Sequence, residues 1–89
     1  MVKHVNNIGG LIQKANRIGA FFIAMPDRTE GIEGIVDHIQ KFWEPRMRTA
    51  MLTFLSEHPD GRATDAQLSP IVLDAIRNYR ERLTPSIQP

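Results

Sequence analysis

Four prolines set the limits of what this chain can fold into. Pro26, Pro45, Pro70 and Pro85 divide it into segments, and because proline lacks an amide hydrogen and clashes with the turn before it, no regular helix runs through any of them. Between the prolines the apolar residues recur at three- and four-residue spacing. Ile8, Leu11, Ile12, Ala15, Ile18 and Phe22 do so with Lys14 and Arg17 on the opposite face, which predicts an amphipathic helix over 7–25 stopped by Pro26. Asp27, with Glu30 three residues on, resembles a capping box, with a carboxylate placed to accept from the free amides of a helix start. The second helix, 27–43, then carries Ile32, Ile35, Val36, Ile39 and Phe42. Glu44 is pushed away from helical angles by Pro45, which itself suits the first turn of a third helix, 45–57, with Met47, Ala50, Met51, Phe54 and Leu55 as its apolar positions. His58-Pro59-Asp60-Gly61 opens a loop over 58–68 that lacks periodicity and is expected to be the mobile segment. Ser69 as N-cap and Pro70 after it start a fourth helix, to 83, carrying Ile71 or Val72, Ala75, Ile76, Tyr79 and Leu83. The tail to Pro89 is expected to fray. No segment alternates in the manner of a half-buried strand. The expected fold is all-α, a small bundle or orthogonal array of about four helices, with residues 1–89 forming a single domain.

Composition narrows the chemistry. Eleven Lys and Arg against ten Asp and Glu give a net charge of +1, so no strong field draws phosphate backbones non-specifically. The absence of cysteine removes disulfides, thiolate nucleophiles and Cys-based zinc or iron–sulfur sites, and points to the cytoplasm. The longest apolar run, Ala20 to Met25, is far short of the roughly 20 residues of a membrane span. Residues Met1 to Asn7 carry no apolar signal-peptide core. No Gly-rich turn ends in Gly-Lys-Ser or Gly-Lys-Thr, and the paired glycines lie inside helical patterns and not after strands. His4, His38 and His58 include no pair four residues apart. Glu30, Glu33 and Asp37 share one side of the second helix, but Asp37 stands four residues before Lys41, the order of a solvated ion pair. Catalytic, cofactor-binding and metal-binding residues are therefore expected to be absent, and the chain is not expected to be an enzyme.

Other features suggest a partner. Phe21, Phe22 and Ile23 are consecutive, and successive helical residues point about 100° apart, so this end of the first helix is apolar over more than one stripe. Either the other helices cover all of it or part of it meets another protein. The corner from Phe42 to Arg48 holds the sole Trp, a proline turn and two arginines. Trp and Arg are frequent interface anchors, and Trp43 either anchors such an interface or plugs the corner of the core. Arg46 and Arg48 sit early in a helix, where cations oppose the macrodipole, so they do not serve helix stability. His38, four residues before Phe42, can hydrogen-bond at the same corner. Arg77, Arg80 and Arg82 form a second basic face, interleaved with Asp74 and Glu81 and expected to be solvated.

With those residues in view, a family resemblance emerges. Ala15-Asn16-Arg17-Ile18-Gly19-Ala20-Phe21-Phe22, Pro26 with Asp27, and His38-Ile39-Gln40-Lys41-Phe42-Trp43-Glu44-Pro45-Arg46-Met47-Arg48 together resemble the delta subunit of NAD-dependent, molybdenum-containing formate dehydrogenases. The second string is the specific part, and Leu68 to Ile76 fits the family's C-terminal helix. Lys14 stands where the family pattern has Met, and Arg17 where it has Gln. The resemblance implies a small accessory subunit with no cofactor of its own. It would stabilise the catalytic subunit of formate dehydrogenase or assist its maturation, while partner subunits carry molybdenum-pterin, iron–sulfur clusters and flavin. On this resemblance the candidate partner-binding residues are His38, Phe42, Trp43, Pro45, Arg46 and Arg48, with Phe21 and Phe22. A homodimeric helical adaptor or chaperone is the alternative, with isolated chains pairing through Phe21, Phe22 and Ile23. A nucleic-acid-binding helical domain using Arg77, Arg80 and Arg82 is third.

Gly9, Gly10, Gly19, Gly31 and Gly34 each cost about 1 kcal/mol relative to Ala inside a helix, unless close helix approach offsets the cost. The isolated chain is therefore expected to be marginally stable, with a thermal midpoint below about 70 °C; a sharp transition above that temperature would contradict the expectation.

Overall fold

The computed structural model describes residues 7–85. Its helices are α1 (Ile8–Phe22), α2 (Arg28–Phe42), α3 (Pro45–Glu57), α4 (Pro70–Asn78) and the single turn α5 (Arg80–Leu83). Among the described residues there is no strand, and the all-α expectation holds. The frayed tail expected past Pro85 lies outside the described residues.

Local chemistry explains most of the boundaries. The Asn7 side chain accepts from the Gly10 amide at 3.0 Å and opens α1. The Asp27 carboxylate opens α2 by accepting from the Thr29 amide at 2.9 Å. Glu44 is extended, with φ −65° and ψ 153°, and Pro45 is the first residue of α3. Ser69 takes the N-cap backbone position before Pro70, but its hydroxyl makes no cap bond and is buried without a partner.

Two boundaries depart from the sequence pattern. α1 stops at Phe22, not at Met25, because the Phe22 carbonyl lies against the start of α2. The Met25 amide donates to that carbonyl at 3.1 Å and turns the chain. The last helix breaks at Tyr79 (φ −119°, ψ 34°) and resumes as α5. The break carries Leu83 into the core and lets the C-terminal arginines fold back. Arg82 pairs with Asp37 and donates to Gln40 at 2.8 Å, and Arg80 donates to Ser56 at 3.0 Å. Arg80 and Arg82, two of the three side chains expected to form a solvated basic face, thus fasten α5 to α3 and α2, while Arg77 is exposed as expected. Asp37, expected to pair with Lys41, pairs with Arg82 instead.

The loop over 58–68 is more organised than its composition suggested. His58 stacks on Phe54 with ring centroids 5.1 Å apart, and Asp60 accepts from the Arg62 amide. Gly61, at φ +74°, takes the left-handed turn that glycine allows. Arg62 and Gln67 face each other in an isolated antiparallel bridge, and Leu68 is buried. The half-buried Asn16 of α1 ties this loop down at two places. Its amide donates to the Gln67 carbonyl at 2.9 Å, and its carbonyl accepts from the Ser69 amide at 2.8 Å.

α2 is the central element, touching α1, α4 and α5. Its Ile32, Ile35, Val36 and Ile39 meet Ile12 and Ala15 of α1, Met51, Leu52, Phe54 and Leu55 of α3, and Ile71, Val72, Ala75 and Ile76 of α4 in one core. The molecule measures 44 × 37 × 20 Å, about two helix diameters at its thinnest, so each helix keeps an outer face. Glycines permit the tight crossings. A Cβ on Gly19 would lie 2.5 Å from the Val72 side chain, and one on Gly31 would lie 2.7 Å from the Phe22 carbonyl oxygen. Gly9, by contrast, faces open space apart from ordinary contact with Asn7.

These glycines should therefore answer differently to alanine. Gly31→Ala gains helix propensity but displaces backbone, for a net loss of about 1–2 kcal/mol and a midpoint roughly 5–10 °C lower. Gly9→Ala should gain about 0.5–1 kcal/mol. Thermal melts of the two variants check the difference, and an equal response would show that the α1–α2 approach is not limiting.

Candidate partner-binding surface

The early end of α1 leaves Phe21, Phe22 and Ile23 at an edge where α2 passes beneath them. Phe22 settles inward. Its ring lies on Gly34, where any Cβ would collide with it, and is half-buried as a result. Phe21 stays 72% exposed, Ile23 59% and Met25 40%. On α2, His38 lies one turn beyond Gly34 and Phe42 one turn beyond His38, so they continue the same row.

The rings form a continuous strip. Phe21 meets Phe22 edge-on, with centroids 4.9 Å apart and planes at 87°. Phe22 meets His38 at 6.5 Å, and His38 meets Phe42 at 4.7 Å. Edge-on and tilted contacts suit the ring quadrupoles and hold neighbouring rings in fixed relation. Phe42 at the far end is 69% exposed. Its place in the apolar periodicity of α2 predicted a core-facing residue, whereas the family resemblance made it a candidate for partner binding. The structure instead gives the core positions of that last turn to Ile39 and Trp43 and leaves Phe42 outside. An apolar row of this length on a small domain is a surface of the kind that proteins cover.

The remaining candidates separate by burial. Trp43 is only 7% exposed and belongs to the core, so its ring is not part of the exposed surface; of the two readings left open for it, the plug holds. The backbone is extended at Trp43 and at Glu44, the latter held so by Pro45, and the indole lies buried at the corner. Arg48 is half-buried, with its Nε shielded and without a partner, and lines a small pocket of about 10 Å³ with Trp43, Ile39, Met51, Leu52, Ile76 and Leu83. That space is about the size of one water molecule. Pro45 and Arg46 are exposed immediately after the strip, and Arg46 pairs loosely with Glu44 at 3.6 Å. The structure thus brings Phe21, Phe22, His38 and Phe42 together, leaves Pro45 and Arg46 beside them in the chain, and turns Trp43 and Arg48 toward the core. Met25 was missed in the sequence, although its place in the turn before Pro26, where no helix partner can cover it, was a usable signal.

Other chemistry is sparse. Among the described residues no group of three or more His, Asp or Glu is placed to hold a metal ion. No described helix is long and apolar enough to cross a membrane. Of the arginines that a nucleic-acid reading would need, Arg80 and Arg82 are directed onto the chain's own side chains. The strip itself can offer apolar area, ring faces and the imidazole of His38.

Comparison with known families gives one finding. The family described as NADH-dependent formate dehydrogenase delta subunit FdsD matches residues 10–76, which include α1 from its first turn, all of α2 and α3, and α4 as far as Ile76. Neither the curated proteins nor the solved structures gave a match.

The corner makes a sharp contrast between neighbours. Phe42→Ala should change stability by no more than about 0.5 kcal/mol, as surface substitutions usually do. Trp43→Ala, one residue later, should cost about 3–5 kcal/mol. Urea titrations measure both, and a large loss from Phe42→Ala would mean that the strip is held as core.

Proposed function

The chain belongs to the family of NADH-dependent formate dehydrogenase delta subunits, and from that premise we propose that it is a non-catalytic accessory subunit that docks on the catalytic subunit through the aromatic strip. The observation that carries the reading is the row Phe21–Phe22–His38–Phe42, exposed at its two ends and half-buried between them, with Ile23 and Met25 exposed as well; these four, Phe21, Ile23, Met25 and Phe42, are the large apolar side chains exposed among the described residues. Exposed phenylalanines contribute nothing to the isolated fold and gain apolar burial only when another surface covers them.

The division of labour follows from what the chain contains. With no cysteine it supplies no thiolate to an iron–sulfur cluster. Molybdenum-pterin, iron–sulfur clusters and flavin belong in this reading to the partner subunits, which carry out formate oxidation and electron transfer to NAD in the cytoplasm. The small subunit stabilises the catalytic chain or holds it during maturation, by covering apolar surface that would otherwise face water.

A tagged full-length chain, purified from its native cells after growth on formate, is expected to co-elute with the catalytic subunit, molybdenum and formate-dependent NAD reduction. Phe21→Ala with Phe42→Ala should reduce that co-elution at least about tenfold, the size of a hot-spot loss, while leaving the helical circular dichroism unchanged. Recovery of the wild-type chain without the catalytic subunit would contradict the proposal.

A further inference from the structure

Charge around the strip identifies what kind of surface covers it, on the premise that the strip is the docking face. We propose that the strip takes an apolar patch fringed by carboxylates on a larger subunit, and not a second copy of this chain.

The margin of the strip is cationic. On α1, Lys14, Arg17 and Phe21 recur at three- and four-residue spacing and share a face, and both cations are exposed. On α2, Lys41 follows His38 by three residues and flanks Phe42, and it too is exposed. Ion pairs among the described residues join Arg28 to Asp74, Arg46 to Glu44 and Arg82 to Asp37. Lys14, Arg17 and Lys41 take part in none of them. Of the acids of α2, Asp37, one turn before Lys41, is held by Arg82, and Glu33 accepts from the Tyr79 hydroxyl at 3.4 Å. Glu30, one turn before Gly34, is the carboxylate left on the strip's side of α2, and Glu44 is engaged with Arg46. Cations therefore predominate beside the rings, and a complementary surface carries acids there.

Area argues against self-association. At roughly 150–200 Å² for a large side chain, the exposed fractions of Phe21, Ile23, Met25 and Phe42 amount to on the order of 400 Å². Two copies pairing through these four side chains alone would bury about 800 Å² in total, and reaching the roughly 1,200–2,000 Å² of a stable interface would require burying the charged margin as well. A two-fold pairing presents the same patch from both sides, so it would also set the cationic margins against each other. A larger partner reaches past the rings to Arg17, Lys14 and Lys41 and gains both area and charge.

The test uses the full chain and purified formate dehydrogenase from cells lacking this subunit, with affinity measured at low and at moderate salt. Arg17→Glu with Lys41→Glu, both exposed positions, is expected to weaken binding at least about tenfold at low salt. Raising the salt should weaken wild-type binding severalfold and leave the doubly reversed variant unchanged or tighter, because salt also screens the repulsion between its glutamates and the partner's acids. The wild-type chain should sediment as a monomer at micromolar concentration. Binding that ignores both the reversals and the salt overturns the proposal and leaves the accessory-subunit reading standing. A concentration-dependent dimer abolished by Phe21→Ser with Phe42→Ser would make a second copy the occupant, and overturns it as well. Failure of the wild-type chain to bind the dehydrogenase at all removes the accessory-subunit reading and this proposal with it.

Discussion

The structure depends on one close approach, where the Phe22 carbonyl at the end of α1 rests against Gly31 in the first turn of α2. Only a residue without a side chain lets two backbones come this near. With Gly31 in place α1 ends at Phe22, and the Met25 amide uses the same carbonyl to turn the chain toward Pro26. The crossing then sets the Phe22 ring on Gly34, and that ring begins the row through His38 to Phe42. The surface proposed for the partner is thus a direct result of the contact that packs the first two helices. Ile23 is exposed because it stands just past the helix end, and Phe21 because it lies on the outer face of α1 with Lys14 and Arg17.

Polar contacts close the fold at its other edges, and most are exposed ones. Arg28 with Asp74, and Arg82 with Asp37 and Gln40, tie α4 and α5 to α2 at the surface, where each ion pair contributes about 0–1 kcal/mol. Their main effect is on orientation, since they hold the short α5 in place and occupy Asp37 of α2. Asn16 acts differently. It is half-buried and bonds backbone groups on either side of Leu68, so it fixes how the loop enters α4. A residue with poor helix propensity in the middle of α1 gains its position from two hydrogen bonds made across more than fifty residues of sequence.

How much could be read from the sequence varies with the range of the interaction. Periodicity and proline placement located the four main helices, because both act within one turn. The core positions Ile12, Ile35, Val36, Ile39, Phe54, Leu55, Ala75 and Ile76 followed from the same spacing. Phe42 did not. It continues the apolar period of α2, yet only the three-dimensional placement of α1 and Trp43 decides whether a residue there is covered. The break at Tyr79, the bridge between Arg62 and Gln67 and the recruitment of Arg82 by Asp37 depend on partners distant in sequence. The glycines were legible as a cost, and the structure supplies the neighbour that explains Gly19, Gly31 and Gly34.

The strings that carry the family resemblance combine two physical roles, and burial separates them. In the first, Ala15 and Gly19 pack inward and Asn16 holds the loop, while Arg17, Ala20 and Phe21 are turned outward. In the second, Ile39 and Trp43 fill the core, Pro45 starts α3, and His38, Lys41, Phe42 and Arg46 are left toward solvent to different degrees. On the proposed docking reading, a motif of this kind is specific because folding and docking use interleaved positions along the chain. Trp43 shows the dependence well. Its indole fills the corner beneath the last turn of α2, and that filled corner supports the helix end from which Phe42 projects. Arg48 extends the same support from α3, lying beside Trp43 with its Nε shielded. A side chain can therefore serve an interface without touching it, by fixing the angle at which its exposed neighbour is presented.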